Sequence, residues 1–238
     1  MYSIPAQLLY FDPRLCTQFF DDFVVEDGGS TSSIICTPNF KRIISGTGSG
    51  VQQTASATQA RTLGVMRMFT GSTASGYAMM CGSNILPPNG PIREEWRVNV
   101  SQLSDAVDEF AVYVGMGDDV EFGNPVESGI CFIYDRTISV NWLLYCRDFL
   151  VGASEIKNSG VPVVAGQWYK LLFETSPDNQ FSNFYIDGVF VGSIAGKNPT
   201  LTEAVRAAMA TIQKNVGLAS RSLEADYCNF QQVFNVSR

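Results

Sequence analysis

The chain contains no histidine among its 238 residues. Without an imidazole, Ser-His-Asp and Cys-His nucleophilic mechanisms are excluded, and so are zinc or iron sites built on histidine. The glycine-rich stretch GTGSG at 46–50 lacks the lysine of a phosphate-binding loop. It is not a nucleophile elbow either, because Gly48 stands where a serine is needed.

Charge is also scarce, since charged residues make up 16% of the chain and the net charge is −7. Lysine and arginine form no cluster, so we expect no nucleic-acid partner. No apolar run has the length of a membrane helix, which predicts no membrane partner. The opening stretch MYSIPAQLLYFDPR lacks the basic and apolar regions of a signal peptide, so none is predicted.

The six cysteines are widely spaced and include no CxxC pair. A chain of this length can bury a large apolar core, so its fold does not need disulfides. Most of the cysteines lie inside apolar runs such as GICFIY and WLLYC, where cysteine behaves as a small buried hydrophobic residue. We therefore expect free thiols at Cys16, Cys36, Cys81, Cys131, Cys146 and Cys228.

Short apolar runs of strand length recur along the chain and are separated by Gly, Pro, Asn, Asp or Ser clusters. This spacing is typical of an antiparallel β-sandwich or barrel and not of alternating βαβ units. The predicted strands are centred near Ile34, Val65, Trp96, Val112, Phe132, Leu143, Leu171 and Tyr227, with a hairpin between the last two.

One short α-helix is predicted near 201–214, in the sequence LTEAVRAAMATIQK. Thr200 and Glu203 have capping-box spacing, apolar residues recur on one helical face, and Gly217 lies beyond the end. Such a helix would close one end of a sandwich.

The domain organisation is predicted to be simple. Residues 1–18 are interpreted as an N-terminal arm or edge segment that needs a neighbour to dock on, with an edge strand at LLYF as the alternative. Residues 19–238 then form a single domain. The Gly/Ser/Thr-rich segment 43–60 fits short strands or a long loop equally.

The sequence FSNFYIDGVFVGSI, at 181–194, predicts a β-hairpin, because Asp187-Gly188 suits a two-residue type I′ turn. Ile186 should then face Val189. Two further pairs are expected, Phe184 with Val191 and Asn183 with Gly192. One face would be aliphatic and packed against a second sheet. The other would be open and carry Phe181, Tyr185, Phe190 and Ile194.

These segments together resemble the concanavalin A-like lectin/glucanase jelly roll. The resemblance rests on the Trp-led strand GQWYKLLFE, the Asp-Gly hairpin, and the closing strand SLEADYCNFQQV. FFDDFVVED, at 19–27, is similar to the first strand of such domains. Jelly-roll domains with this low charge and Ser/Thr/Gly-rich composition are similar to those of bacteriophage virion proteins, so the resemblance implies a virion location.

The resemblance also provides a sequence motif by which hydrolytic activity can be judged. Glucanases of this fold carry Glu-x-Asp-x-x-Glu on one strand, which supplies a nucleophile and an acid/base. Here EADYCN provides Glu224 and Asp226, but Asn229 replaces the second glutamate and cannot donate the proton. The motif also lies on the final strand and not on the catalytic one. The sequence therefore favours a protein that is not an enzyme.

Aromatic residues on the open face are the candidates for ligand contact. Trp96, Trp142 and Trp168 are suited to stacking on sugar rings, although tryptophan is more often a core residue. The predicted glycan or protein contact consists of Trp168, Tyr185, Phe190 and Asn183.

No cofactor is expected, with calcium as the alternative. Two acidic clusters offer carboxylates for it, one at 21–27 and one at Asp118, Asp119 and Glu121.

The sequence thus predicts a non-enzymatic phage virion surface protein, either a capsid decoration protein or a fibre component. Other virion proteins, further copies of the chain and a host-surface glycan are the expected partners. Two alternatives remain open: a free carbohydrate-binding lectin, and a glucanase or polysaccharide lyase on the same scaffold.

Overall fold

The computed structural model describes residues 16–23, 40–53, 64–82, 90–117, 126, 128–148, 152–199 and 207–233. None of these residues forms a helix that is long and apolar enough to cross a membrane. The described strands are β1 (Cys16–Asp21), β2 (Phe40–Ser45), β3 (Ser49–Gln53), β4 (Met66–Thr70), β5 (Gly76–Gly82), β6 (Ile92–Val100), β7 (Phe110–Gly117), β8 (Gly129–Asp135), β9 (Asn141–Asp148), β10 (Ala153–Pro162), β11 (Trp168–Thr175), β12 (Phe181–Ile186), β13 (Val189–Ala195), β14 (Ala207–Lys214) and β15 (Ser222–Val233).

The strands form two antiparallel sheets. Sheet A has the order β13-β12-β11-β6-β15-β4-β3, and β1 also pairs with β15. Sheet B has the order β10-β9-β8-β7-β14-β5-β2. Every described pairing is antiparallel. The all-β, antiparallel sandwich of jelly-roll type that the sequence predicts is therefore confirmed.

The main hydrophobic core lies between the sheets. Phe132 of sheet B meets Phe184 of sheet A with ring centroids 5.2 Å apart, and Trp142 of sheet B meets Tyr169 of sheet A at 5.8 Å. These rings are at most 1% exposed, so burial of large aromatic surfaces holds the two sheets together.

The two sheets differ on their outer faces. The outer face of sheet B carries a second buried apolar cluster that includes Tyr77, Met79, Leu143 and Met209. The outer face of sheet A is lined instead by charged, polar and aromatic side chains, as the alternating burial of β6 and β11 shows. Among the described residues, sheet A is therefore the sheet whose outer face carries polar and charged groups.

The prediction of a helix near 201–214 is wrong for the residues that the structure describes. Residues 207–214 form strand β14, which lies between β5 and β7. Ala208, Ala210 and Ile212 face the main core, whereas Met209 joins the outer cluster of sheet B. Burial on both faces of the strand outweighs the helical spacing of its apolar residues. Residues 200–206 lie outside the described part of the chain.

The predicted hairpin turn is confirmed, since Asp187 and Gly188 have φ values of 51° and 80° and Ile186 pairs with Val189. The register beyond it differs from the prediction, because a bulge makes Phe184 pair with Gly192 and Asn183 with Ser193. The bulge also turns Ile194 inward, where it is fully buried opposite Ser182.

The remaining structural predictions are only partly covered by the described residues. Cys81, Cys131, Cys146 and Cys228 are buried free thiols. The segment 43–60 contains the end of β2 and all of β3. The division at residues 18 and 19 stays a prediction, although β1 already begins at Cys16. The strands predicted at LLYF and near Ile34 lie outside the described residues.

Candidate functional site

The outer face of sheet A brings together polar side chains from β4, β6, β11 and β15. Glu224 of β15 pairs with Arg67 on one side and Asn99 on the other, and Asn99 pairs in turn with Trp168. Asn99 Nδ2 donates a hydrogen bond to Glu224 Oε2 at 3.3 Å. We call Arg67, Glu224, Asn99 and Trp168 the central row, because they follow one line across four strands.

A bulge in β15 adds two side chains beside the central row. The register against β6 passes from Ala225↔Val98 to Tyr227↔Arg97, which leaves Asp226 as the extra residue. Asp226 forms an ion pair with Arg97, and Tyr227 Oη donates to Glu95 Oε1 at 2.6 Å. Both therefore reach groups of the outer face, while Ala225 and Cys228 are buried in the core.

Arg97 connects the carboxylates to the aromatic end of the central row. Its guanidinium carbon lies 4.9 Å from the centroid of the Trp168 ring, within the range of a cation–π contact. The same guanidinium is paired with Asp226, so its position is fixed from two sides. This arrangement holds the half-buried indole at the start of β11.

The central carboxyl group has a perturbed acidity. Burial raises the pKa of Glu224 above its ordinary value, and the positive charge of Arg67 opposes that shift. Burial also raises the pKa of Tyr227, as does its hydrogen bond to Glu95. Glu224 thus keeps its proton to a higher pH than a solvated glutamate, which is the property required of a general acid.

A second aromatic ring lies at the other end of the central row. Phe69 of β4 is half-buried and pairs with Gly50 of β3. A Cβ placed on Gly50 would lie 2.6 Å from Phe69 Cζ, so the ring covers the place that a side chain would occupy. Phe69 and Trp168 therefore stand at the two sides of Glu224.

The four contact residues predicted from the sequence fall into two groups on this face. Trp168 is part of the central row. Tyr185 and Phe190 contact each other with centroids 5.7 Å apart, and Asn183 lies opposite Glu174 and Ser193. Tyr185 pairs with Leu172, four positions along β11 from Trp168, so about 13 Å separates the groups.

Other predicted site residues lie elsewhere. Trp96 and Trp142 are 1% and 0% exposed, so they belong to the core. Asp118, Asp119 and Glu121, the candidate calcium ligands, lie outside the described residues. So do Glu26 and Asp27 of the other acidic cluster.

The sequence pattern identified Glu224 and Asp226 but not their neighbours. Arg67, Asn99, Glu95 and Phe69 come from other strands, and only the pairing of those strands brings them to β15. Their outward alternation along β4 and β6 is visible in the sequence, but their proximity to Glu224 is not.

Comparison with known proteins gives similarity in structure alone. No family model matches the chain, and no curated protein matches it in sequence. A protein of unknown function from Shewanella oneidensis MR-1 has a TM-score of 0.65 at 14% identity, over 94% of this chain and 89% of its own. A β-1,3-1,4-glucanase (lichenase) derived from a mouse hindgut metagenome has a TM-score of 0.59 at 10% identity, over 90% and 98%. A Bacillus licheniformis β-glucanase has a TM-score of 0.57 at 12% identity, over 90% and 97%.

The chain therefore has the concanavalin A-like jelly-roll fold, a scaffold that it shares with glucanases. These structures overturn the prediction that the protein is not an enzyme. That prediction rested on a single strand, in which Asn229 replaces a glutamate. The folded sheet places Glu95 opposite Asn229 and Arg67 and Asn99 beside Glu224, so carboxylates and their partners converge from several strands.

Proposed function

We propose that this protein binds a glycan across the outer face of sheet A, with the central row as the principal contact. The observation that carries the proposal is the position of Phe69 and Trp168 on either side of Glu224 and Asn99. Aromatic rings offer apolar surface for the C–H faces of sugars, and the side chains between them offer hydrogen bonds to hydroxyl groups.

The layout of this face fits an extended ligand. Neighbouring strands lie about 4.8 Å apart, so the four strands of the central row span about 15 Å. That span accommodates about three sugar units. Tyr185 and Phe190 form a second aromatic group along the same face, which would extend the contact of a longer chain.

The test is a glycan array followed by calorimetric titration of the oligosaccharides that bind. Trp168→Ala should weaken binding about tenfold or more, because it removes one ring of the central row. Phe190→Ala is the matched variant in the second group, and it should weaken the binding of long oligosaccharides only. Wild-type protein that binds no glycan, or Trp168→Ala protein that binds normally, would contradict the proposal.

A second candidate activity, glycoside hydrolysis, is favoured by the environment of Glu224. Its raised pKa suits a proton donor, and the ion pair with Arg97 fixes the carboxylate of Asp226 on the same face. Glu224 and Asp226 are two positions apart on β15, and the bulge at Asp226 brings both carboxyl groups to the outer face. Inverting glycosidases use two such carboxyl groups about 6.5–9.5 Å apart. In this proposal Glu224 protonates the leaving oxygen, and Asp226 activates water.

Release of reducing ends from a panel of polysaccharides tests this activity. Glu224→Gln keeps the shape of the side chain and a carbonyl acceptor for Asn99 but has no acidic proton. It should lower turnover about 100-fold to 10,000-fold while oligosaccharide binding persists. The control is Asp135→Asn. Asp135 is the last residue of β8, and its Oδ1 accepts a hydrogen bond from the backbone N–H of Thr137. Turnover that survives Glu224→Gln would rule out this role for Glu224.

The location on a phage virion stays a prediction. It is supported by the sequence resemblance to virion proteins, and it would place the glycan-binding face on the particle surface. Mass spectrometry of purified particles from a host that carries the gene tests it. If the protein is absent from the particles, the virion location is rejected, and the proposal of glycan binding is unaffected.

A further inference from the structure

Arg67 differs from the other arginines on the outer face of sheet A. Arg93 contacts Glu174 at 3.0 Å and Glu95 at 3.9 Å, and Arg97 is paired with Asp226. Within the described residues, Arg67 forms no ion pair and no hydrogen bond through its side chain, and its Nε is buried without an acceptor. A half-buried guanidinium whose N–H groups find no acceptor among the described residues retains donors for an external acceptor.

The neighbour across the strand does not accept a hydrogen bond from this guanidinium. Glu224 pairs with Arg67 in the sheet but accepts its hydrogen bond from Asn99 instead. Burial raises the pKa of Glu224 and the positive charge of Arg67 opposes that shift, so the two groups interact electrostatically, but among the described residues they form neither an ion pair nor a hydrogen bond with each other. The other cross-strand neighbour of Arg67 is Gln52, which is neutral.

A second cation without a partner lies on the same face. Lys170 of β11 is exposed and stands opposite Arg97, next to Trp168. In the described part of the chain its ammonium group forms no ion pair. Arg67 and Lys170 therefore lie at opposite sides of the Glu224–Asp226 segment, and each can donate hydrogen bonds to an anionic group.

We infer that the glycan bound on this face is acidic, with a carboxylate or sulfate group held by Arg67 and a further one near Lys170. This inference rests on the proposed glycan binding and names its substrate class. The planar guanidinium of arginine donates two parallel hydrogen bonds to a carboxylate or sulfate. The apolar ring of Phe69, on the same strand, would contact the sugar that carries this group.

The net charge of −7 does not prevent this recognition. At physiological ionic strength the Debye length is about 8 Å, so the distant acidic groups are largely screened, whereas contact with Arg67 is not. The preference for an anion is therefore local and depends on this one side chain more than on the overall charge.

The experiment measures affinity by calorimetry at about 0.15 M salt for matched hexasaccharides on β-1,4-glucan, β-1,3-glucan and β-1,4-mannan backbones. Each backbone is tested as the neutral sugar, as its C6-oxidised uronate and as its sulfate ester. We expect at least one acidic form to bind about tenfold or more tightly than its neutral parent. The uronate and sulfate arms identify which anion is preferred.

Three variants connect that preference to Arg67. Arg67→Gln should abolish the preference, so that the acidic and neutral forms of one backbone bind with similar affinity, and Arg67→Lys should restore part of the preference. The control is Arg147→Gln, a half-buried arginine on sheet B whose Nε is also buried without an acceptor among the described residues. Thermal unfolding of each variant verifies that it is folded.

The outcomes separate this inference from the proposed function. Equal binding of neutral and acidic forms would overturn the inference and leave glycan binding standing. An acidic preference that survives Arg67→Gln would also overturn it. If none of the hexasaccharides binds, the inference is overturned, whereas the proposed function fails only if the glycan array also shows no binding.

Discussion

Glu94 and Trp96 are hydrogen-bonded to each other inside the sandwich. Trp96 Nε1 donates to Glu94 Oε1 at 2.5 Å, and Trp96 and Glu94 are 1% and 0% exposed. No atom of the described residues donates to Glu94 Oε2. The buried thiol of Cys228 interacts electrostatically with Glu94 and also with Asp21. Burial raises the pKa of Glu94 to about 8, so a neutral carboxylic acid is the form that this core accepts.

The stability of the protein should therefore fall with rising pH. The pKa of Glu94 is about 8 in the folded protein, and its ordinary value, expected in the unfolded chain, is 4.5. The folded state consequently binds more protons between these two values. The contribution of Glu94 is complete below pH 4.5 and is lost as the pH rises through 8. Urea unfolding between about pH 5 and 9 should show a loss of a few kcal/mol.

Glu94→Gln provides the matched variant for this prediction. The amide oxygen still accepts the Trp96 hydrogen bond, but the side chain cannot ionise. The variant should lose most of the decline in unfolding free energy between about pH 6 and 9. An unchanged decline would mean that another group, such as Cys228 or a tyrosine, is responsible.

Gly50 should control the position of the Phe69 ring beside the central row. A methyl group at residue 50 would lie 2.6 Å from Phe69 Cζ and displace the ring. Gly50→Ala should therefore weaken glycan binding as much as Phe69→Ala does, at a stability cost of about 1 kcal/mol. In a Phe69→Ala background, Gly50→Ala should have no further effect on affinity, and additive losses would contradict the contact.

Lys214 is 1% exposed, and its Nζ donates to the carbonyls of Gly71 and Thr73 at 2.7 and 3.0 Å. Lys214→Met would leave both carbonyl oxygens without this donor. We expect a loss of about 2–3 kcal/mol in unfolding free energy and faster amide exchange in the 71–75 loop. Lys170→Met, at an exposed position, should change stability by less than about 0.5 kcal/mol. Equal losses of stability in the two variants would contradict a stabilising role for the buried hydrogen bonds of Lys214.

Substitutions in the β12–β13 turn should lower stability through backbone strain and not through steric clashes. Gly188 has φ near 80°, and no described atom lies within 4 Å of a Cβ added there. Gly188→Ala should cost about 1–2 kcal/mol, whereas Gly188→Asn should cost less because asparagine tolerates this region. Asp187→Ala should cost about 1 kcal/mol, because it removes the acceptor of the Lys170 backbone N–H at 2.9 Å. Chemical denaturation measures all three.

Local signals in the sequence predicted local structure well. Short apolar runs bounded by turn residues identified β6, β7, β8, β9, β11 and β15, and Asp187-Gly188 identified its turn. The same kind of signal was wrong at 207–214, where helical spacing and a capping box are genuine local preferences. Burial between β5 and β7 satisfies the same apolar residues as a strand, and that pairing is not encoded within the segment itself.

The register of β12 and β13 shows the same limit on a smaller scale. The pairing next to the turn follows from the turn type, but the bulge at Gly192 depends on packing against Leu144 of sheet B. A constant period of two therefore predicted Ile194 on the wrong face.

The sequence by itself determined the sandwich class, the free thiols at the described cysteines, and the presence of Glu224 and Asp226 on one strand. These follow from alternation, composition and spacing, which are properties of short segments. Only the tertiary structure decided that Arg67, Asn99 and Trp168 stand in line with Glu224, and that Phe69 lies over Gly50. Strands distant in the chain become neighbours because their inward faces bury a shared core, and the outward residues are brought together by that same pairing.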